Sequence, residues 1–174
     1  MRRSFGVFRA AAACLVIAVT SGSATADPAA ARAPAPRSVA QLEAALHATK
    51  TDRGSRIMLS ADALFGLSRD TLDAAADPLL AQLAELIAAT RPREVVVAGH
   101  TDSSGQDEDN QALSEARAHA VAAWLEATAA KHRPRFVEQG FGRTRPIAPN
   151  HAADGSDNPE GRARNRRIEI MLRR

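Results

Sequence analysis

One stretch of the chain concentrates polar residues that could hold a charged ligand. It reads GHTDSSG at residues 99–105 and is followed by Asn110 and Arg117. Asp102 supplies a carboxylate that can accept hydrogen bonds from an ammonium group, and Arg117 supplies a guanidinium that can donate a fork of two hydrogen bonds to a carboxylate. An acid and an arginine facing one cleft suit a zwitterionic ligand. The alternative is that Asp102 and Arg117 pair with each other, and their spacing alone favours neither interpretation.

The hydrophobic pattern defines the elements that must position these residues. Residues 94–98 form a continuous apolar strand, so Asp102 follows a strand's carboxyl end, where open α/β sheets bind ligands. A helix is expected from about residue 107 to 130, with an acidic first turn at the positive end of its dipole. On a helical wheel, Arg117 and Asn110 fall at the border of the expected buried stripe, which comprises Leu113, Ala116, Ala120, Ala123, Trp124 and Ala127.

The rest of the pattern predicts an α/β (α+β) two-layer sandwich. Further strands are expected at residues 56–61, 135–140 and 167–172, and a helix at residues 77–90 starts with an Asp-Pro cap. Residues 38–50 predict a short amphipathic helix with Ser38 as its N-cap, which must dock, self-associate or fray. The order β-α-β-α-β-β implies a sheet that is at least partly parallel, with helices packed on one face.

The first 55 residues are expected to contain a targeting signal and a tether. Residues 1–26 combine a basic start, an apolar run and a small-residue cleavage pattern, which predicts a cleaved signal peptide. The apolar run is shorter than the roughly 20 residues of a membrane span, so a retained anchor is the weaker alternative. Residues 27–55 are expected to form a Pro/Ala-rich tether and the short helix, and residues 56–174 the domain.

Composition excludes several classes of function. Aromatic residues make up 3% of the 174 residues, which argues against a base-stacking platform, and the single Cys excludes a disulfide framework. Residues 131–174 carry a net charge of +6, and residues 27–130 carry −6. Contact of the basic third with phosphate or anionic lipid is therefore possible, but a solvated, internally compensated surface is the favoured interpretation.

Several spaced motifs together resemble one known family. The matching residues are GHTDSSG at 99–105, Asn110, Leu113-Ser114, Arg117-Ala118, Gly140-Phe141-Gly142, Pro146-Ile147-Ala148, Gly161-Arg162 and NRRIEI at 165–170. They resemble the signature of the OmpA-like C-terminal domain, found in porin-type outer-membrane proteins, the peptidoglycan-associated lipoprotein and flagellar motor stators. The resemblance covers about residues 56–174. It implies a mixed four-stranded sheet with two long helices, and non-covalent binding of peptidoglycan.

The resemblance also implies a ligand and the residues that bind it. The ligand centre is the diaminopimelate side chain of the stem peptide, which carries an ammonium and a carboxylate on one carbon. Asp102 would take the ammonium, Arg117 the carboxylate, and Asn110 would orient the peptide, with Thr101 beside Asp102. The family's C-terminal arginine pair falls on residues 166 and 167; because neighbouring strand residues alternate faces, one at most reaches the cleft, and Arg166 is chosen.

Two features depart from the family pattern. The run after the first strand, LFGLSRD at residues 64–70, lacks the acid that usually follows Phe-x-Phe, which puts contacts from this loop in doubt. Residues 150–160 are longer than the usual connection and are expected to form a polar surface loop. Asp154 and Asp157 do not have the spacing of a calcium-binding loop, so they are interpreted as part of a turn.

The expected function is therefore binding rather than catalysis, without cofactor or metal. The protein is expected in the periplasm of a Gram-negative bacterium, associated with the cell wall. Association with the outer membrane and a protein partner bound through residues 27–55 are further hypotheses. Nucleic acid and a transmembrane segment in the mature chain are not expected. His100 as a base with Ser103 or Ser114 as nucleophile would give a hydrolase, but no nucleophile elbow surrounds either serine. The alternative function is a periplasmic interaction adaptor with a weakened or dead peptidoglycan site.

Overall fold

The computed structural model of the chain describes residues 37–66, 69–128 and 133–174. The predicted signal peptide, Cys14, most of the Pro/Ala-rich segment and the last two residues of the predicted long helix lie outside these ranges. No helix within the described ranges is both long enough and apolar enough to cross a membrane.

The structure is a mixed five-stranded sheet with helices packed against it. The strands are β1 (Thr49–Thr51), β2 (Gly54–Ser60), β3 (Glu94–His100), β4 (Arg135–Gly140) and β5 (Arg167–Arg173). The helices are α1 (Val39–Ala45), α2 (Ala61–Phe65), α3 (Asp77–Thr90), α4 (Asp107–Thr128) and α5 (Pro159–Asn165). Strand order is β1-β2-β5-β3-β4, in which β3 and β4 are parallel and the other neighbours are antiparallel.

The predicted fold class is confirmed, with one strand more than expected. The predicted helix at residues 38–50 is too long, because the chain reverses at His47, which has a φ of 49°. The following Thr-Lys-Thr then pairs with β2 as the short edge strand β1. Two of these three residues are β-branched, a type that favours strands over helices.

Helix α1 docks onto the domain, which resolves the three alternatives that the sequence left open. Ser38 and Gln41 form a reciprocal capping box at its start. Leu42 and Leu46 are buried in the hydrophobic core at 1% and 2% exposure. Burial of two leucines supplies the tertiary stabilisation that a seven-residue helix lacks alone.

The core lies between the sheet and the helix layer and holds the strand ends in place. Alternate residues of β2 and β5 point into it, including Ile57, Leu59, Ile168 and Ile170, while β3 is buried along almost its whole length. The leucine stripe of α3 covers this face. Gly99 allows α4 to pack closely, since a Cβ at that position would lie 2.1 Å from the Ser114 carbonyl oxygen.

The buried face of α4 differs from the predicted one. The buried residues are Asn110, Ser114, Arg117, Ala118, Val121, Ala122 and Leu125, whereas Ala123 and Ala127 of the predicted stripe are exposed. The helical wheel predicted the wrong face because alanines occur all round this helix and give little contrast in hydrophobicity between its faces. Three polar side chains occupy the true buried face, so apolar character did not mark it.

Candidate binding site

A short loop after β3 presents Asp102 at the carboxyl end of the strand. Asp102 Oδ1 accepts a hydrogen bond from the Ser104 N–H at 2.9 Å, which closes a tight turn of the Asx type. The Thr101 N–H donates to the Gly142 carbonyl at 2.9 Å and ties the loop to the segment after β4. Asp102 is thereby fixed at 6% exposure.

Asn110 closes the same loop from the first turn of α4. Its Nδ2 donates to the Ser104 carbonyl at 2.7 Å, and the side chain is buried. Gly105 has a φ of 83°, which lets the chain turn sharply between Ser104 and Asn110. The contact of Asn110 is therefore with the loop that carries Asp102.

Arg166 bridges two carboxylates at this end of the sheet. Its Nη1 donates to Asp102 Oδ2 at 2.6 Å, while Nε and Nη2 form a fork onto Asp62 at 2.8 and 2.7 Å. Arg162 approaches Asp102 Oδ2 at 4.0 Å. Asp102 thus pairs with Arg166 rather than with Arg117, the alternative that the spacing had left open.

The electrostatic environment keeps this cluster charged. Burial works against ionisation of Asp102, but the Ser104 N–H and Arg166 outweigh it and lower the pKa of the Asp102 carboxyl. The hydrogen bonds that Arg166 donates to the Asp62 and Asp102 carboxylates raise the pKa of Arg166. Asp102 is therefore anionic and Arg166 cationic at neutral pH.

Arg117 lies beneath the loop that follows α2. Its Nε donates to the Arg69 carbonyl at 2.7 Å, and its guanidinium carbon lies 5.3 Å from the centroid of the Phe65 ring. The side chain is 1% exposed, so the predicted position at the border of core and solvent is wrong. Burial lowers the pKa of Arg117, and the charges of Asp62, Asp70 and Asp102 oppose that effect.

An acid that the sequence analysis missed, Asp62, stands beside the site. The family's usual acid after Phe-x-Phe is absent, but Asp62 on the short helix α2 reaches Arg166 instead. A second missed element, α5, carries Arg162 and ends at Asn165, immediately before Arg166. Its start has the Asn158-Pro159 cap, the same type of signal that located α3 at Asp77-Pro78.

The other candidate residues have structural contacts. The His100 ring is buried and stacks on Phe141 with centroids 5.2 Å apart, and burial together with the nearby Arg167 charge lowers its pKa to about 4. The Ser114 hydroxyl accepts from the Gly142 N–H at 2.9 Å and donates to the Gln111 carbonyl. These contacts hold the β3 and β4 ends against α4.

Arg167 faces away from Asp102, and the loop before it forms turns. Arg167 is buried, and its guanidinium donates hydrogen bonds to Glu169 and to the carbonyls of Asn165 and Arg145.

In the loop before α5, Asp154 accepts a hydrogen bond from the Ser156 N–H at 3.0 Å within a tight turn. The predicted loop at residues 150–160 is shorter than expected because α5 begins at Pro159. The described residues contain no cluster of side chains suited to hold a metal ion.

Comparison with known proteins identifies the family. Residues 64–166 match the model of the OmpA family. The chain belongs to the OmpA family. It is 36% identical over 118 residues to outer membrane protein A of Bordetella avium, which covers 68% of this chain and 57% of the relative. A 40% identical match over 120 residues to a photosystem I apoprotein A2 of Gloeobacter violaceus covers 69% of this chain and 14% of the relative.

One solved structure with the same fold is that of a cell wall anchor. It is the cell wall anchor of the T6SS from Pseudomonas aeruginosa, with a TM-score of 0.62 and 32% identity, covering 79% of this chain and 97% of that one. OmpA family membership confirms the resemblance seen in the sequence motifs. It also agrees with a binding or anchoring role rather than an enzymatic one. The chain spans less than two thirds of the two curated relatives described above.

Proposed function

We propose that this OmpA family protein binds peptidoglycan non-covalently and anchors itself to the cell wall, with diaminopimelate of the stem peptide as the ligand centre. The observation that carries the proposal is the grouping of two buried charged side chains, Asp102 and Arg117, with the partly exposed Arg166 at one end of the sheet. Charged side chains are rarely buried without a reason, and functional sites are where such groups concentrate. The likeness to a cell wall anchor supports the same role.

The ionised Asp102 is suited to receive the ligand ammonium. A carboxylate has about four acceptor positions. The Ser104 N–H and Arg166 occupy one on each oxygen, at 2.9 and 2.6 Å. The Thr101 hydroxyl next to it is buried without a hydrogen-bond partner among the described residues, so it can serve a ligand group. Arg166 then has two roles, orienting Asp102 and adding positive charge to the cleft.

Arg117 is suited to receive the ligand carboxylate. Its guanidinium is held by the Arg69 carbonyl and by the Phe65 ring, which fixes its orientation before the ligand arrives. In a desolvated setting a charged hydrogen bond to a carboxylate is stronger than in water. Asn110 contributes by holding the Asp102 loop, so its effect on peptide orientation passes through Ser104.

The proposed location is the periplasm, at the cell wall and close to the outer membrane. The predicted signal peptide supports export, and the relative from Bordetella avium is named as an outer membrane protein. Residues 27–55 remain the proposed place for a protein partner.

Co-sedimentation with purified sacculi tests the proposal. The full chain, purified from the envelope fraction, should pellet with diaminopimelate-containing sacculi and less with lysine-containing sacculi. Free diaminopimelate should compete, whereas lysine, which lacks the second carboxylate, should not. Asp102→Asn should weaken binding roughly 30-fold or more, since loss of one buried charge partner costs about 2–5 kcal/mol. Asp154→Asn, in an exposed turn, is the matched control.

Each outcome separates the alternatives. Wild-type protein that stays in solution with all sacculi would favour the interaction adaptor with a dead site. Equal binding to both types of sacculi would retain wall binding and contradict diaminopimelate as the ligand centre.

A further inference from the structure

The end of the sheet opposite the Asp102 site gathers basic side chains from four parts of the chain. Backbone hydrogen bonds join them: Arg93 N–H to the Arg173 carbonyl at 2.8 Å, Arg135 N–H to the Arg93 carbonyl at 2.9 Å, and Arg174 N–H to the Arg53 carbonyl at 3.2 Å. We call this group, with Lys50, the basic end. Arg91 and Arg133 flank it and are also exposed.

Acidic side chains neutralise only part of the basic end. Glu94 pairs with Arg173 at 2.7 Å and with Arg135 at 3.6 Å, and Glu43 pairs with Lys50. Arg53, Arg93 and Arg174 are exposed and have no acid side chain within 4.0 Å in the part of the chain that the structure describes. The surface therefore carries an excess of positive charge that the protein itself does not compensate.

The basic end also has a concave region of suitable size. A cavity of about 370 Å³ lies between the β1–β2 hairpin and the end of β5. Four basic residues, Lys50, Arg53, Arg173 and Arg174, line it together with one acid, Asp52, so its charged lining is mainly basic. Basic side chains around such a pocket suit phosphate groups, which accept several charged hydrogen bonds at once.

We propose that the basic end binds anionic phospholipid headgroups at a bilayer surface. The +6 charge of residues 131–174 is divided between both ends of the sheet. The basic end is therefore assembled by the fold, which brings part of this charge together with Lys50, Arg53 and Arg93. Nucleic acid is disfavoured as the ligand because only 3% of the chain is aromatic, so few side chains are available for bases to stack on. The seven residues of β3 separate the basic end from Asp102 by about 20 Å, so a bilayer and the wall can be engaged together.

Vesicle co-flotation of the full chain tests this proposal. The vesicles contain either phosphatidylcholine alone or phosphatidylcholine with about 30% of the anionic lipid phosphatidylglycerol. Binding to the anionic vesicles is expected at low salt and should fall steeply between about 50 and 300 mM NaCl, a range over which the Debye length shortens roughly 2.4-fold. The triple variant Arg53→Gln, Arg93→Gln, Arg174→Gln should lose roughly 100-fold in partitioning, because each basic residue near such a surface contributes about fivefold.

The matched control removes three exposed arginines from the opposite end: Arg143→Gln, Arg145→Gln and Arg164→Gln. It should retain vesicle binding, and the basic-end variant should retain its circular dichroism spectrum and sacculus binding. Absence of wild-type flotation on anionic vesicles would overturn the proposal, as would equal losses in both triple variants. Binding to duplex DNA without binding to vesicles would also overturn it. Sacculus binding reports separately on the wall site, so failure of one proposal is distinguishable from failure of the other.

Discussion

Replacement of Arg117 by methionine should separate stability from wall binding. In the Arg117→Met variant, an apolar chain of similar length fills the space of a side chain that is 1% exposed. Removal of the charge relieves a desolvation cost of several kcal/mol. It also removes the hydrogen bond to the Arg69 carbonyl, about 1.5–3 kcal/mol, and the contact with the Phe65 ring, about 1–2 kcal/mol.

These opposing contributions nearly cancel, so the free energy of unfolding should stay within about 1 kcal/mol of wild type. Wall binding should fall roughly 30-fold or more, because the ligand carboxylate loses its partner. Arg117→Ala should also lose binding, but it leaves a cavity and should lower the free energy of unfolding by about 3 kcal/mol. Urea denaturation followed by circular dichroism measures stability, and sacculus co-sedimentation measures binding.

Two results would refute this reasoning. If Arg117→Met were as unstable as Arg117→Ala, the charge would be holding the loop after α2 in place. If Arg117→Met bound sacculi like wild type, Arg117 would not contact the ligand. Arg164→Met, at an exposed position of α5, is the control that should change neither quantity.

Three further predictions address the framework. Gly99→Ala should lower the free energy of unfolding by about 2 kcal/mol or more in urea denaturation, because its Cβ would lie 2.1 Å from the Ser114 carbonyl oxygen; a smaller loss would mean that α4 can shift. Leu42→Ala should cost about 3 kcal/mol in the same assay if α1 folds as part of the domain, and a loss under 1 kcal/mol would contradict that. The His100 pKa falls from 6.5 unfolded to about 4 folded. The unfolded chain therefore binds the extra proton, and up to about 3 kcal/mol of stability, present above pH 6.5, is lost as pH falls to 4. His100→Phe should flatten this loss in thermal unfolding from pH 7.5 to 4.5, and an unchanged slope would assign it to other groups.

Local patterns were sufficient to predict the elements that carry Asp102. The apolar run of β3 and the acidic start of α4 predicted a loop between the end of the strand and the start of the helix, and the structure confirms this loop. The Asp-Pro pair located the start of α3 at Asp77, but the predicted capping role of Asp77 is wrong, because Ala76 is the N-cap and no side chain caps the helix. These signals depend on neighbours within about one turn of chain, so no tertiary information was needed.

The bridge that Arg166 forms between Asp62 and Asp102 could not be predicted because it depends on strand register. Arg166 and Asp62 are 104 residues apart in sequence and meet only because β2 pairs with β5. The orientation of α4 also depends on tertiary contacts. Its alanines suit either face, and the loop carbonyl of Arg69 compensates the burial of Arg117.

The position of β5 explains why Arg166 holds both acids. Strand β5 lies between β2 and β3, and Arg167 pairs with Ser60 on one side and with His100 on the other. Asp62 and Asp102 each lie two residues beyond those partners, and Arg166 lies one residue before Arg167, so the three side chains converge at one edge. A slip of one residue in β5 would exchange the faces of Arg166 and Arg167 and remove the cation between the two acids. The site therefore assembles only when the central strand is in register, which makes the proposed wall site a direct product of correct sheet pairing.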